Sequence, residues 1–107
     1  MLLSADNSLK EVQSYVEKTL KKRGFDDETV AQKFMLLLEE MGEFAHAARK
    51  HADIKVDEAK WVDNEQNLQD EAADVLIYLL DICNKLDIDL MQAFIAKEKK
   101  NQTRNWK

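Results

Sequence analysis

Apolar residues return every three or four positions along most of this chain, the spacing that lines one face of a helix. The first run is Leu9, Val12, Val16 and Leu20, preceded by the capping pair Asn7-Ser8, and it predicts a helix over about residues 8–22. Gly24 then supplies the left-handed conformation that commonly ends a helix. Asp26 and Asp27 are good caps for a second helix, expected to reach about residue 52. From Ile54 to Val62 the period lapses and charges mix with Trp61, so the stretch reads as a connection. Asp63, with Gln66 at capping-box distance, opens a third helix bearing Leu68, Ala72, Val75, Leu76, Leu79, Ile82, Cys83 and Leu86. That stripe is too wide for a lone surface helix and predicts a central position. Asp87 or Asp89 then caps a fourth helix, in which Leu90, Ala93, Phe94 and Lys97 carry the pattern into a charged tail from Lys97 to Lys107.

The chain holds no proline and only two glycines, Gly24 and Gly42, so it lacks the turn residues of an all-β fold. An all-α bundle of about four helices is expected, as one domain over residues 1–107, with no internal repeat or low-complexity tract. A net charge of -5 disfavours nucleic acid and anionic lipid as partners and suits a metal or a cationic partner. No run approaches the roughly 18 apolar residues of a membrane span. Cys83 is alone, and Met1-Leu2-Leu3 is followed at once by polar residues, so a cytoplasmic location is the expectation.

Acids inside the two apolar helices carry the functional signal. Glu40 and Glu43 lie three apart, as do Glu71 and Asp74, so each pair points to one side of its helix. Acidic pairs at this spacing are common on solvated faces. Here, however, Leu36, Leu37, Phe44 and Ala47 flank one pair, and Ala72, Ala73, Val75 and Leu76 the other, which sets the carboxylates at the border of a core. Four carboxylates converging at roughly 5 Å would repel by about 3 kcal/mol per pair at an effective dielectric near 20. Repulsion of that size forces proton uptake or a bound cation, and carboxylate oxygens prefer hard divalent ions such as magnesium, manganese or calcium. Magnesium is the expected ion, with manganese its substitute. Gly42, inside the second helix, costs about 1 kcal/mol relative to alanine, which implies either close access to that backbone or a tight helix contact.

The segments Glu39-Glu40-Met41-Gly42-Glu43 and Glu71-Ala72-Ala73-Asp74 resemble the Glu-Glu-x-x-Glu and Glu-x-x-Asp signature of the MazG-like nucleoside triphosphate pyrophosphohydrolases. The likeness extends to the connection with Trp61, the run Asp74-Val75-Leu76, the corner Leu86-Asp87-Ile88 and a basic tail with Lys97, Lys100, Asn101 and Arg104. It implies hydrolysis of a nucleoside triphosphate, often a deoxynucleotide, between the α and β phosphates, in a house-cleaning role in nucleotide metabolism. It also implies metal on Glu40, Glu43, Glu71 and Asp74, with Glu39 orienting or deprotonating the attacking water. Lys97, Lys100, Asn101 and Arg104 are candidates to grip phosphates, although a basic helix end also complements the helix dipole.

Tyr78 lies one turn after Asp74 on the same side of its helix and is the first candidate to stack on a base; Trp61 and Trp106 are weaker ones. Met35, Met41 and Met91 read as core or interface filler and Cys83 as a buried small hydrophobe. Glu43 and His46 form one Glu-x-x-His, whereas a di-iron bundle needs two, so an oxygen-ligand magnesium site is favoured and both histidines read as surface or interface residues. The second and third helices look apolar on more surface than two short companions can cover. The resemblance implies a homodimer that completes a four-helix core, or a tetramer. The alternative from another class is a helical module that binds nucleotide or metal without turnover.

Overall fold

A computed structural model describes residues 2–49 and 65–104. Those residues form four helices and no strand: α1 (Leu9–Lys22), α2 (Val30–Ala48), α3 (Glu65–Lys85) and α4 (Leu90–Gln102). The described residues include no helix long and apolar enough to cross a membrane. The expected connection Ile54–Val62, the Asp63 cap and Trp61 lie outside the described residues.

The helix ends follow local side-chain chemistry. Ser8 caps α1 through a full capping box with Glu11, its hydroxyl accepting from the Glu11 N–H while the Glu11 carboxylate accepts from the Ser8 N–H. Hydrogen bonding to Ser8 holds the Glu11 carboxyl below the usual range. Gly24, at φ +83°, closes α1 with two reverse hydrogen bonds, Phe25 N–H to Leu20 O and Gly24 N–H to Lys21 O. The start of α2 corrects the expectation from Asp26 and Asp27: Thr29 is the cap, in a second capping box with Gln32. The helix starts later because residues 25–28 stay irregular after the Gly24 turn, and Thr29 is the first residue with a hydroxyl and an amide partner, Gln32, three positions on. The second helix stops at Ala48 with Arg49 at its C-cap, short of residue 52.

Between α3 and α4 the two aspartates divide the work. Asp87 takes the left-handed conformation, φ 55°, with Ile88 N–H bonded to Cys83 O, while Asp89 caps α4 by accepting from Gln92 N–H. Aspartate tolerates the left-handed well better than most residues, so the corner turns without a glycine.

By contacts the chain divides into two compact units, residues 1–27 with 80–107 and residues 28–79. In the first, α1 packs on α4 and the core holds Val16, Leu80, Ile82 and Cys83. Buried Gln13 ties the α3–α4 corner to α1. Its amide nitrogen donates to Asn84 Oδ1 (3.0 Å) and Ile88 O (2.7 Å), its oxygen accepts from Leu90 N–H (3.1 Å), and Asn84 Nδ2 donates back to Gln13 O. Lys85 Nζ donates to Asp26 O at 2.8 Å, anchoring the turn after α1. Leu80, Asp81, Ile82 and Cys83 are buried around the whole circumference of α3, whereas Ala72, Leu76, Leu79 and Leu86 of the stripe expected to make this helix central are exposed; burial pushes the Cys83 thiol up.

The second unit holds α2 and the stretch of α3 up to Leu79. Lys33, Leu37 and Ala47 are buried, with Lys33 Nζ 3.4 Å from Glu28 Oε2. Met35 and Met41 are exposed instead of filling this chain's core. Gly42 is also exposed, and a Cβ added there would meet nothing within 4 Å, so no close approach to that backbone occurs among the described residues.

Candidate functional site

Three acids from two helices meet in the second unit. Glu40 and Glu43 stand one turn apart on α2, Glu71 stands on α3, and each offers a carboxylate oxygen within 4.8 Å of the others. Glu40 lies on the face of α2 that also buries Lys33, Leu37 and Ala47, because residues spaced by three, four and seven share a helix side. The helix that supplies the core therefore carries this carboxylate into its border.

Two of the acids hold an oxygen that is buried and without a hydrogen-bond donor, Glu40 Oε2 and Glu71 Oε2. A buried acceptor left in that state costs about 1–3 kcal/mol, more when charged. Desolvation pushes the Glu40 carboxyl up to about 7, reinforced by repulsion from Glu43, Asp74 and Glu71. Desolvation first, and then Glu43, raises Glu71 as well. Lys33, buried on the same side of α2, has its Nζ 3.4 Å from Glu28 Oε2. Over its whole sequence the second unit has 12 acidic and 5 basic side chains, against 9 and 11 in the other.

A divalent cation fits this donor set. Magnesium binds oxygens at about 2.1 Å, so opposite ligands of one ion lie about 4.2 Å apart, and calcium spans somewhat more. Carboxylate oxygens spread over at most 4.8 Å can close on either ion by small rotations.

Asp74, the fourth expected ligand, is outside the close set of three. It is half-buried, and desolvation raises its carboxyl, followed by the charges of Asp70 and Glu43. Its own charge acts on both Glu40 and Glu71, which places it at the rim of the cluster. Asp70 went unnoticed in the sequence, although its position four residues before Asp74 on one helix was the available signal. Glu39 is exposed, Tyr78 is half-buried one turn after Asp74, and His46 is exposed. Lys97, Lys100 and Arg104 are exposed on α4 or just past its end, in the first unit, where Asn101 Nδ2 donates to Glu98 Oε2 at 2.7 Å. The described grooves of the first unit, including one of about 480 Å³ bordered by Lys21, Asp81 and Lys85, hold none of the clustered acids.

The described residues are all helical and set a desolvated carboxylate cluster on α2 and α3, an oxygen-donor set that suits a hard divalent cation. The profile of the MazG nucleotide pyrophosphohydrolase domain matches residues 28–107, most of the chain, and covers every acid of the cluster. The chain belongs to that family. No curated protein matches it.

Proposed function

We infer that this chain is a magnesium-dependent nucleoside triphosphate pyrophosphohydrolase that releases a nucleoside monophosphate and pyrophosphate by cleaving between the α and β phosphates. The observation that carries the reading is the trio Glu40, Glu43 and Glu71, two of whose oxygens are buried without a donor. In this reading those three, joined by Asp74, hold the ion, with manganese able to replace magnesium. The bound ion supplies neutralisation of phosphate charge and alignment of water, which phosphoryl transfer needs more than a protein nucleophile.

Glu39, exposed next to Glu40, orients the attacking water or takes its proton. Tyr78, one turn beyond Asp74, offers a face to the base, while Lys97, Lys100, Asn101, Arg104 and Trp61 are assigned to the substrate by family likeness alone. The enzyme acts as a homodimer or tetramer in the cytoplasm, as a single domain. Pyrophosphate release from a panel of nucleoside and deoxynucleoside triphosphates, with magnesium and with chelator, tests the activity. Loss of turnover in Glu43→Gln and Asp74→Asn supports the site; turnover that survives both refutes it. No turnover on any nucleotide would favour the binding module.

A further inference from the structure

One side of α1 carries hydrogen-bond donors that the fold leaves unused. Ser14, Tyr15, Lys18, Thr19, Lys22 and Arg23 border a groove of about 740 Å³, within the roughly 300–1,000 Å³ of small-molecule sites. Tyr15 and Thr19 are half-buried, while Ser14, Lys18, Lys22 and Arg23 are exposed. Among the described residues, none of these six side chains has a hydrogen-bond or ion-pair partner. The acid that borders the same groove, Glu11, has its carboxylate engaged by the Ser8 N–H in the capping box.

Three cations beside one engaged carboxylate reverse, locally, the sign of a chain whose net charge is -5. Basic residues at a helix end complement its dipole. Lys18, however, precedes the last turn of α1, and that role requires neither a groove nor hydroxyls beside the cations. Lys18 and Lys22 stand one turn apart, about 6 Å along the axis, and Arg23 adds a fork that can take two phosphate oxygens at once. This spacing suits an anion charged at two centres, to which the Ser14, Thr19 and Tyr15 hydroxyls offer neutral donors. The helix carries none of the clustered acids and lies outside residues 28–107, so the family match does not account for the groove.

We propose that this groove is a metal-independent anion site that takes a diphosphate group, either free or carried by a nucleoside. It uses no residue of the carboxylate cluster and stands whether or not the chain turns nucleotides over.

Calorimetric titration in chelator tests the site, with inorganic pyrophosphate, a nucleoside diphosphate and orthophosphate as probes and the α1 amides followed by NMR. Both diphosphates are expected to saturate at or below about 1 mM and to shift the Thr19, Lys22 and Arg23 amides, with orthophosphate weaker. Lys22→Ala and Arg23→Ala should each weaken binding about tenfold, through loss of a hydrogen bond to a charged group. Lys10→Ala, which removes the partner of Asp89 elsewhere on α1, and Glu43→Gln should leave it unchanged. Tighter binding of the nucleoside diphosphate, with the gain lost in Tyr15→Leu, supports a site that also holds the base; equal binding of both supports one for the inorganic group. No saturable binding in chelator, binding that appears only when magnesium is added, or equal losses in Lys10→Ala and Lys22→Ala would each overturn the proposal. Circular dichroism checks that every variant keeps its helix content.

Discussion

Stripping metal and raising the pH should destabilise this protein, and neutralising Glu43 should reverse part of the loss. The Glu40 carboxyl titrates at about 7 in the folded chain, against 4.5 for a free glutamate. Because the folded value is the higher, the folded state binds more protons between about pH 4.5 and about pH 7, and stability falls as pH rises across that window and levels off above it. A shift of that size amounts to about 3 kcal/mol unscreened, and solvent beside a partly exposed carboxylate reduces it to about 1–2 kcal/mol. Glu71 and Asp74 are raised as well and act in the same direction. Glu11 is lowered, so its contribution is lost only as pH falls below about 4.5, outside the window. In the proposed reading, magnesium that binds only the folded cluster would add about 2.7 kcal/mol at 100 times its dissociation constant. Urea unfolding followed by circular dichroism at about pH 5 and about pH 8, in chelator and in magnesium, measures each of these quantities. The wild-type chain should lose stability with pH in chelator and regain it in magnesium. Glu43→Gln should be more stable than wild type in chelator at the higher pH and gain less from magnesium. If the chelated wild type is no less stable at about pH 8 than at about pH 5 and Glu43→Gln leaves it unchanged, the carboxylates do not form a strained cluster.

The polar hub gives a second test: Gln13→Leu removes three side-chain hydrogen bonds and leaves the Leu90 N–H and Ile88 O without that partner, so unfolding free energy should drop by about 2–4 kcal/mol. A drop under about 1 kcal/mol in a denaturant titration would show that water replaces the amide there. The caps give a third, since Thr29→Ala should cost about 1 kcal/mol and Asp27→Ala close to nothing; equal losses would return the cap to the earlier residues. Gly24→Ala should cost about 1–2 kcal/mol through its left-handed backbone alone, as nothing lies within 4 Å to clash, and thermal melting reads this directly.

Much of the site was legible in the sequence because a helix converts spacing into direction. Glu40 and Glu43 are three apart, flanked by Leu37, Phe44 and Ala47, and such a pattern places carboxylates at the margin of an apolar face whatever that face packs on. The left-handed turn at Gly24 is equally local and was readable for that reason, and the caps were readable to within the pairs Asn7-Ser8 and Asp87 or Asp89, of which Ser8 and Asp89 serve. Reading failed where two local signals competed. Asp26, Asp27 and Thr29 are all good caps, and the choice depended on how many residues the Gly24 turn consumed.

What the sequence by itself determined is the helix content, the approximate boundaries and the two acidic faces, all of which depend on neighbours within a few residues. Tertiary structure decided which acids share space. Three of the four expected ligands come within 4.8 Å, Asp74 stays at the rim, and Asp70 joins through its charge on Asp74. It also decided that Gln13, an ordinary polar residue in the sequence, is buried with all of its amide employed, and that Met35 and Met41 face outward. Helix periodicity states how residues are arranged around one axis, but distances across two axes depend on the packing offset and rotation of the helices. Those are set by the sum of many side-chain contacts, none of which is encoded at a single position.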